Sequence, residues 1–216
     1  LVVFDCDGTL VDGQAAICET MELAFRNTGL AAPERNKVRR IVGLSLPFAL
    51  RELAPDATDD ERHAVVEAYK AGYRELRLSG ALREPLYAGI AALIDELDAE
   101  GRLLGVATGT SDRGLHACLD THGIKHRFVS LQTADRHPSK PHPAMLEAAL
   151  GDAGVAPADA VMIGDTSFDM EMAQAAGVRA IGVAWGYHEP RELLDAGASA
   201  VAETAQQLGD LIRGTN

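Results

Sequence analysis

Two aspartates, Asp5 and Asp7, directly follow an apolar run and precede Gly8. The run, Leu-Val-Val-Phe, predicts a buried strand, and the glycine predicts a sharp turn after it. Carboxylates at the carboxyl end of a parallel strand lie where open α/β sheets bind ligands. Because two such close carboxylates repel, a divalent cation between them is expected. One carboxylate could hold a metal or attack an electrophile while the other transfers protons. The alternative is a strand followed by an Asx turn.

Three further segments carry groups that could do chemistry. Thr108-Gly109-Thr110-Ser111 offers hydroxyls and backbone N–H groups at a predicted helix start, which suits an anion site, although a simple helix N-cap explains the same pattern. Lys140 lies in a polar loop between two prolines, where a solvated surface lysine is the alternative. Asp165 and Asp169 follow a predicted strand at a spacing of four, and alone they could be a turn and a cap.

The elements that must position these residues alternate along most of the chain. After residue 89, helical segments alternate with short β-rich runs, which are 103–107, 128–131, 161–164, 179–184 and 199–202. Strands that alternate with helices predict a parallel sheet covered on both faces. The fold class is therefore α/β, with a doubly wound parallel sheet.

A helical block, residues 14–83, interrupts this pattern after the first strand. Apolar spacing predicts helices over 14–28, 33–42, 46–54 and from 58 to about 78, and no strand-like segment occurs between 14 and 80. Thr58 with the following acidic residues is typical of a helix start. We therefore expect an α/β core formed by residues 1–13 and 84–216 and an inserted all-helical domain formed by 14–83.

The four chemical segments, in this order and spacing, resemble the four motifs of the haloacid dehalogenase superfamily of phosphotransferases. Those motifs are DxDGT, a Ser or Thr after the second core strand, a lysine, and GDxxxD, and the match covers essentially the whole chain. The helical block looks like the alpha-helical cap of that family. The segments 39–45, 140–143 and 184–188 look most like the phosphoglycolate phosphatase group.

The resemblance implies a role for each motif residue. Asp5 would attack phosphorus and form an aspartyl phosphate, while Asp7 would protonate the leaving group and then activate water. Mg²⁺ would be held by the Asp5 carboxylate, the Asp7 backbone carbonyl and Asp165. Asp169 would orient the metal-bound waters or contact the metal through one of them. Lys140 would neutralise charge between the nucleophile and the phosphoryl group.

Phosphate binding and specificity are implied in the same way. Thr108 and the amides of Gly109 and Thr110 would surround the phosphoryl oxygens, although related phosphatases often have Asn or Lys where Thr110 stands. The helical block would set specificity, and its candidate substrate residues are Arg39, Arg40 and Ser45. A structural alternative for the two arginines is that they complement the dipole at a helix C-terminus.

The expected activity is that of a Mg²⁺-dependent phosphatase acting on a small phosphorylated metabolite, with 2-phosphoglycolate as the leading candidate. A carboxylate at the position of Asp7 favours phosphate esters over halogenated substrates, because a halide needs no leaving-group acid. The alternatives are a sugar phosphomutase of the β-phosphoglucomutase type, a pyrophosphate or phosphonate hydrolase, and a non-catalytic binding module.

Composition limits the partners. The net charge of −12 argues against a nucleic-acid-binding protein. No apolar run approaches the roughly 18 residues that cross a bilayer, so we expect no membrane partner. Three cysteines without disulfide or metal-ligand spacing are typical of a reducing compartment, so we expect a cytoplasmic protein. No sequence pattern addresses the oligomeric state.

Overall fold

The computed structural model describes residues 1–214, and its centre is a parallel sheet with the strand order β3-β2-β1-β4-β5-β6. The strands are β1 (Val2–Phe4), β2 (Leu104–Thr108), β3 (Phe128–Thr133), β4 (Val161–Gly164), β5 (Arg179–Val183) and β6 (Val201–Ala202). Every neighbouring pair is parallel. The predicted parallel α/β fold is confirmed.

Helices connect the strands and form the inserted block. They are α1 (Gln14–Asn27), α2 (Arg35–Arg40), α3 (Leu46–Leu53), α4 (Asp59–Leu78), α5 (Ile90–Ala99), α6 (Asp112–Thr121), α7 (Ala144–Ala153), α8 (Ser167–Ala175), α9 (Pro190–Asp195) and α10 (Ala205–Arg213). Helix α2 is shorter than the predicted 33–42, because a turn begins at residue 41 and Gly43 adopts a φ of 102°. None of the helices within residues 1–214 combines the length and apolar character needed to cross a membrane.

The sheet is covered on both faces, as the alternation of side chains along β1 requires. Val2 and Phe4 pack into one hydrophobic cluster with residues of α5, α6 and α10, namely Leu97, Leu115 and Leu208. Val3 points to the opposite face and packs with residues of α7, α8 and α9, namely Met145, Met170 and Leu193. The two clusters pack the sheet between two layers of helices, which fixes the positions of the strand ends.

The order of the strands reverses at β1, which lies between β2 and β4. From β1 the chain builds the sheet outward on one side through β2 and β3, and then on the other side through β4, β5 and β6. This switch point opens a crevice at the carboxyl ends of the strands. Asp5 follows the end of β1, Thr108 ends β2, and Asp165 follows the end of β4. Three segments that are distant in sequence therefore deliver their side chains to one edge of the sheet.

The helical block has a hydrophobic cluster of its own. Met21 and Phe25 of α1 pack with Leu50 of α3 and with Val65 of α4. Helix α4 begins where the sequence predicts, because Thr58 and Glu61 form a capping box. The two connections to the sheet run side by side, since Asp12 N donates to Pro85 O at 2.8 Å and Tyr87 N donates to Leu10 O at 3.0 Å.

Candidate active site

Lys140 is the centre of a buried charge cluster at the carboxyl edge of the sheet. Its Nζ lies 2.9 Å from Asp5 Oδ1 and 2.6 Å from Asp169 Oδ1, and its side chain is 0% exposed. Burial lowers the pKa of Lys140, but Asp169 and Asp5 together outweigh burial and shift the pKa upward. The lysine is therefore a fixed positive charge between two carboxylates from different motifs.

Asp5 is completely buried but poorly satisfied. Although Lys140 is near enough for a charge interaction, neither Asp5 oxygen makes a well-directed hydrogen bond with any described residue. Burial raises the pKa of Asp5 to about 7, while Lys140 acts in the opposite direction. A buried carboxylate without hydrogen-bond donors is costly unless another group binds it, so these oxygens are free to take a ligand or to react.

Asp165 and Asp169 are held by donors from their surroundings. Asp165 accepts hydrogen bonds from Thr9 Oγ1 at 2.8 Å and from Tyr187 N at 2.9 Å. Asp169 Oδ2 accepts from Thr166 N and Oγ1, which anchors the start of α8. Burial, followed by the charges of Asp5 and Asp169, raises the pKa of Asp165.

The three buried carboxylates fit a divalent cation. Asp5, Asp165 and Asp169 each offer an oxygen, and these oxygens lie within 4.8 Å of one another. One lysine cannot neutralise three carboxylates, so two negative charges remain in the cluster when all are ionised. Oxygen donors of this kind suit a hard ion such as Mg²⁺. Asp165 and Asp169 already accept hydrogen bonds on both of their oxygens, whereas neither oxygen of Asp5 does, so Asp5 is the best placed direct ligand of the three.

Asp7 lies beside the cluster and is oriented by the second motif. Thr110 Oγ1 donates to Asp7 Oδ2 at 2.7 Å. Burial raises the pKa of Asp7, and the Thr110 hydrogen bond lowers it. The Thr110 amide donates to Thr108 Oγ1 at 3.2 Å. The predicted role of the Thr110 amide in phosphate binding stays a prediction, and the side chain of Thr110 has the additional role of holding Asp7.

A cavity of about 520 Å³ extends from Asp5 and Asp7 into the helical block. Thr108, Gly109 and Thr110 line it on the sheet side. A Cβ atom added to Gly109 would lie 2.6 Å from Gly43 O and 2.7 Å from Leu44 O, so the block approaches the second motif closely. The cavity is therefore bounded by both the sheet edge and the helical block.

The three predicted specificity residues separate in the structure. Ser45 lines the cavity, and its amide donates to Ser139 Oγ at 2.8 Å, next to Lys140. Arg40 is half-exposed and pairs with Glu192 at 2.6 Å, and Arg39 faces the Gln14 amide. Neither arginine lines the cavity. Of the three, Ser45 lies on the cavity, and a substrate role for the two arginines stays a prediction.

Sequence reasoning missed several residues that support the site. Thr9 and Tyr187 orient Asp165 through the hydrogen bonds given above. Tyr69 and Tyr73 line the cavity from α4, and Tyr73 donates to Glu84 Oε2 at 3.4 Å. Thr9 could have been found from the sequence, because it is the threonine of the DxDGT motif. No sequence pattern marks Tyr69 and Tyr73, because their position in the same cavity as Asp7 depends on how the helical block packs against the sheet.

Comparisons with known proteins agree with this geometry. The family described as haloacid dehalogenase-like hydrolase matches residues 2–183. A protein of Dickeya dadantii named "Probable phosphatase IndB" is 34% identical over 96% of this chain and 91% of its own length. A phosphoglycolate phosphatase of Rhodospirillum rubrum is 33% identical over 97% of this chain and 89% of its own.

Solved structures share the fold. The crystal structure of a predicted phosphatase from Clostridium acetobutylicum superposes with a TM-score of 0.88 at 23% identity, and the match covers 99% of this chain and 97% of that one. The resemblance seen in the four motifs is thus confirmed along nearly the whole sequence. This chain belongs to the haloacid dehalogenase-like hydrolases.

Proposed function

We propose that this protein is a Mg²⁺-dependent phosphatase that hydrolyses a phosphorylated metabolite through an aspartyl phosphate on Asp5. The observation that carries the proposal is the meeting of Asp5, Lys140 and Asp165, from three distant motifs, at one buried position. Phosphoryl transfer requires mainly positioning and charge neutralisation, and this cluster supplies both. The helical block serves as a cap over the site, and residues 1–13 and 84–216 serve as the catalytic core.

In the first step, an Asp5 oxygen forms a bond to phosphorus as the bond from phosphorus to the ester oxygen breaks. The leaving oxygen takes a proton from Asp7, whose pKa is raised by burial, a shift that favours the protonated form an acid needs. Thr110 holds the carboxyl group of Asp7 in place. Lys140 favours the ionised form of Asp5, against the effect of burial, and offsets the charge of the phosphoryl group.

In the second step, water attacks the phosphorus of the aspartyl phosphate while Asp7 accepts a proton from it. The Asp5–phosphorus bond breaks, and inorganic phosphate leaves with Asp5 and Asp7 restored. The Asp5 and Asp165 carboxylates and the Asp7 carbonyl, with Asp169 nearby, would hold Mg²⁺, which would supply positive charge to offset the phosphoryl oxygens. Thr108 and Gly109 bind those oxygens from the sheet side.

The first compound to assay is 2-phosphoglycolate, because relatives that carry the name phosphoglycolate phosphatase align along this chain. A cytoplasmic location stays a prediction, with three free buried cysteines in its support. No contact among residues 1–214 favours a mutase. Isomerisation of hexose phosphates without release of inorganic phosphate would identify one.

The direct test is a phosphate-release screen over small phosphorylated metabolites, with Mg²⁺ and with EDTA. We expect release that requires Mg²⁺ and stops on chelation. Release that is unchanged in EDTA would contradict the metal assignment. No release from any compound would contradict the phosphatase assignment and favour a non-catalytic binding module.

Replacing Asp7 by asparagine tests the acid and the metal ligand separately. Because an amide cannot protonate the leaving oxygen, we expect kcat to fall by roughly a hundredfold or more. The Mg²⁺ dissociation constant should stay within about threefold, since the proposed ligand is the backbone carbonyl. Steady-state kinetics and titration calorimetry measure the two effects. A large loss of Mg²⁺ affinity would instead assign the side chain as the ligand.

Replacing Gly109 by alanine tests the close approach of the cap. The new methyl group would meet the backbone carbonyls of Gly43 and Leu44, so the cap must move away from the second motif. A displacement of about 1 Å can cost two orders of magnitude in rate, and we expect kcat/KM to fall at least about tenfold. Gly151→Ala in α7 is the control, because its Cβ meets open space. Equal kinetics for both variants would rule out a functional cap contact.

A further inference from the structure

The part of the cavity that lies above the catalytic carboxylates has an apolar wall. Its lining comes from four segments of the cap and includes Met21, Ile41, Leu44, Leu46, Tyr69 and Tyr73. These side chains have no part in the steps above. They are the surface that the organic part of a substrate meets.

The cavity is large for a two-carbon substrate. Its volume of about 520 Å³ falls within the range of roughly 300–1,000 Å³ for pockets that enclose drug-sized ligands. The phosphoryl group takes the end near Asp5, and a two-carbon group would leave most of the apolar wall uncovered. An apolar wall contributes to binding only when it is covered, because the gain is proportional to the apolar area removed from water.

The charges in the lining do not suit a carboxylate on the substrate. Arg77 reaches the cavity but pairs with Glu84 at 2.9 Å. The other cationic side chains among the described lining residues, Lys70, Arg74 and Arg113, are exposed to solvent. A carboxylate placed between the acidic floor and the apolar wall would lose hydration without gaining a free buried cation.

Tyr69 and Tyr73 favour a substrate whose organic part carries a ring. Tyr69 and Tyr73 stack with their centroids 5.6 Å apart and an interplanar angle of 27°. The Tyr69 ring lies on the cavity, and its hydroxyl makes no hydrogen bond with the described residues. Offset aromatic stacking would hold a planar group against this wall, and the hydroxyl could serve a polar atom on its rim.

We infer that the preferred substrates are phosphomonoesters whose organic part is uncharged, apolar and at least as large as an aromatic ring. The inference rests on the proposed phosphatase function and specifies its substrate class. Benzyl phosphate is the simplest probe, and ethyl phosphate and 2-phosphoglycolate are its comparators. All three are esters of primary alcohols, so differences in leaving-group chemistry are small. We expect kcat/KM for benzyl phosphate to exceed the other two at least about tenfold, in keeping with burial of one ring.

Substitutions in the cavity wall test whether Tyr69 is responsible for the preference for benzyl phosphate. Tyr69→Ala should lower the ratio of kcat/KM for benzyl phosphate to that for ethyl phosphate at least fivefold, and Tyr69→Phe should keep the ratio. Phe48→Ala is the matched control, because Phe48 is exposed and contacts Arg51 without lining the cavity. This control should also keep the ratio. A ratio that is unaffected by Tyr69→Ala would overturn the assignment of the ring site.

Binding of uncleaved analogues to the intact protein gives an independent readout. We expect benzylphosphonate to bind at least tenfold more tightly than phosphonoacetate in the presence of Mg²⁺. Two results together would show that the inferred substrate class is wrong: release of phosphate from ethyl phosphate or 2-phosphoglycolate as efficient as from benzyl phosphate, and equal binding of the two phosphonates. The proposed phosphatase function would be unaffected by them. If no ester is hydrolysed at all, both proposals fail.

Discussion

Replacing Asp5 by asparagine is expected to reduce kcat below about 1% of the wild-type value, which corresponds to about 2.7 kcal/mol of additional barrier. The amide is too weak a nucleophile to attack phosphorus, and it is a poor ligand for Mg²⁺. The change is nearly isosteric at a position that is 0% exposed, so the packing around β1 stays intact. Mg²⁺-dependent phosphate release measures the loss, and circular dichroism confirms that the variant folds.

The same chemical change seven residues later provides the control. Asp12 is exposed, its side chain accepts a hydrogen bond from the Gln14 N–H, and it lies outside the charge cluster. We expect Asp12→Asn to keep kcat within about twofold, since its substitution alters a solvated surface group. If Asp5→Asn retained several per cent of wild-type kcat, the covalent route through this aspartate would be contradicted.

Replacing Lys140 by methionine is expected to lower the free energy of unfolding by about 3–5 kcal/mol, because the substitution leaves buried carboxylates without their counter-charge. The side chain is fully buried and lies within 2.9 Å of both Asp5 and Asp169. Methionine fills a similar volume, so the loss reports on charge and not on a cavity. Phosphate release should also disappear. Urea unfolding in EDTA measures the change in stability.

Lys125→Met is the matched control for this prediction. Lys125 forms a surface ion pair with Asp120 at 3.1 Å, and such pairs contribute less than about 1 kcal/mol. We expect its unfolding midpoint and its activity to stay close to those of the wild type. Equal stability losses for the two variants would show that the buried cluster does not depend on Lys140.

Local sequence patterns predicted the sheet well, because each strand core is an apolar run. The ends of strands were harder to predict. Strand β3 continues to Thr133 beyond the predicted residue 131, since its polar residues are satisfied inside the fold. Gln132 donates to Asp152 at 2.7 Å and to Ser130 at 2.8 Å. Asp152 lies in α7, outside the strand, so a polarity pattern alone predicts a loop there.

The motif carboxylates could be placed from sequence because they follow predicted strands whose ends meet at one edge, whereas the role of Lys140 depended on the resemblance to the family motifs. Arg40 could not be placed, since its partner Glu192 is 152 residues away. The hydrogen bond from the Thr110 hydroxyl to Asp7 could not be predicted either, because the two residues are 103 positions apart. Such contacts depend on how the cap and the strands pack together. Short patterns predict which groups are present, and tertiary packing decides which of them meet.

The central claim is that Asp5 accepts the phosphoryl group. Acid quenching during turnover, followed by mass spectrometry of the peptides, tests it most directly. We expect phosphate on the peptide that carries Asp5, assigned to that carboxylate by hydroxylamine trapping, and none in the Asp5→Asn variant. Turnover without a phosphorylated Asp5, or with the phosphoryl group on another residue, would contradict the account.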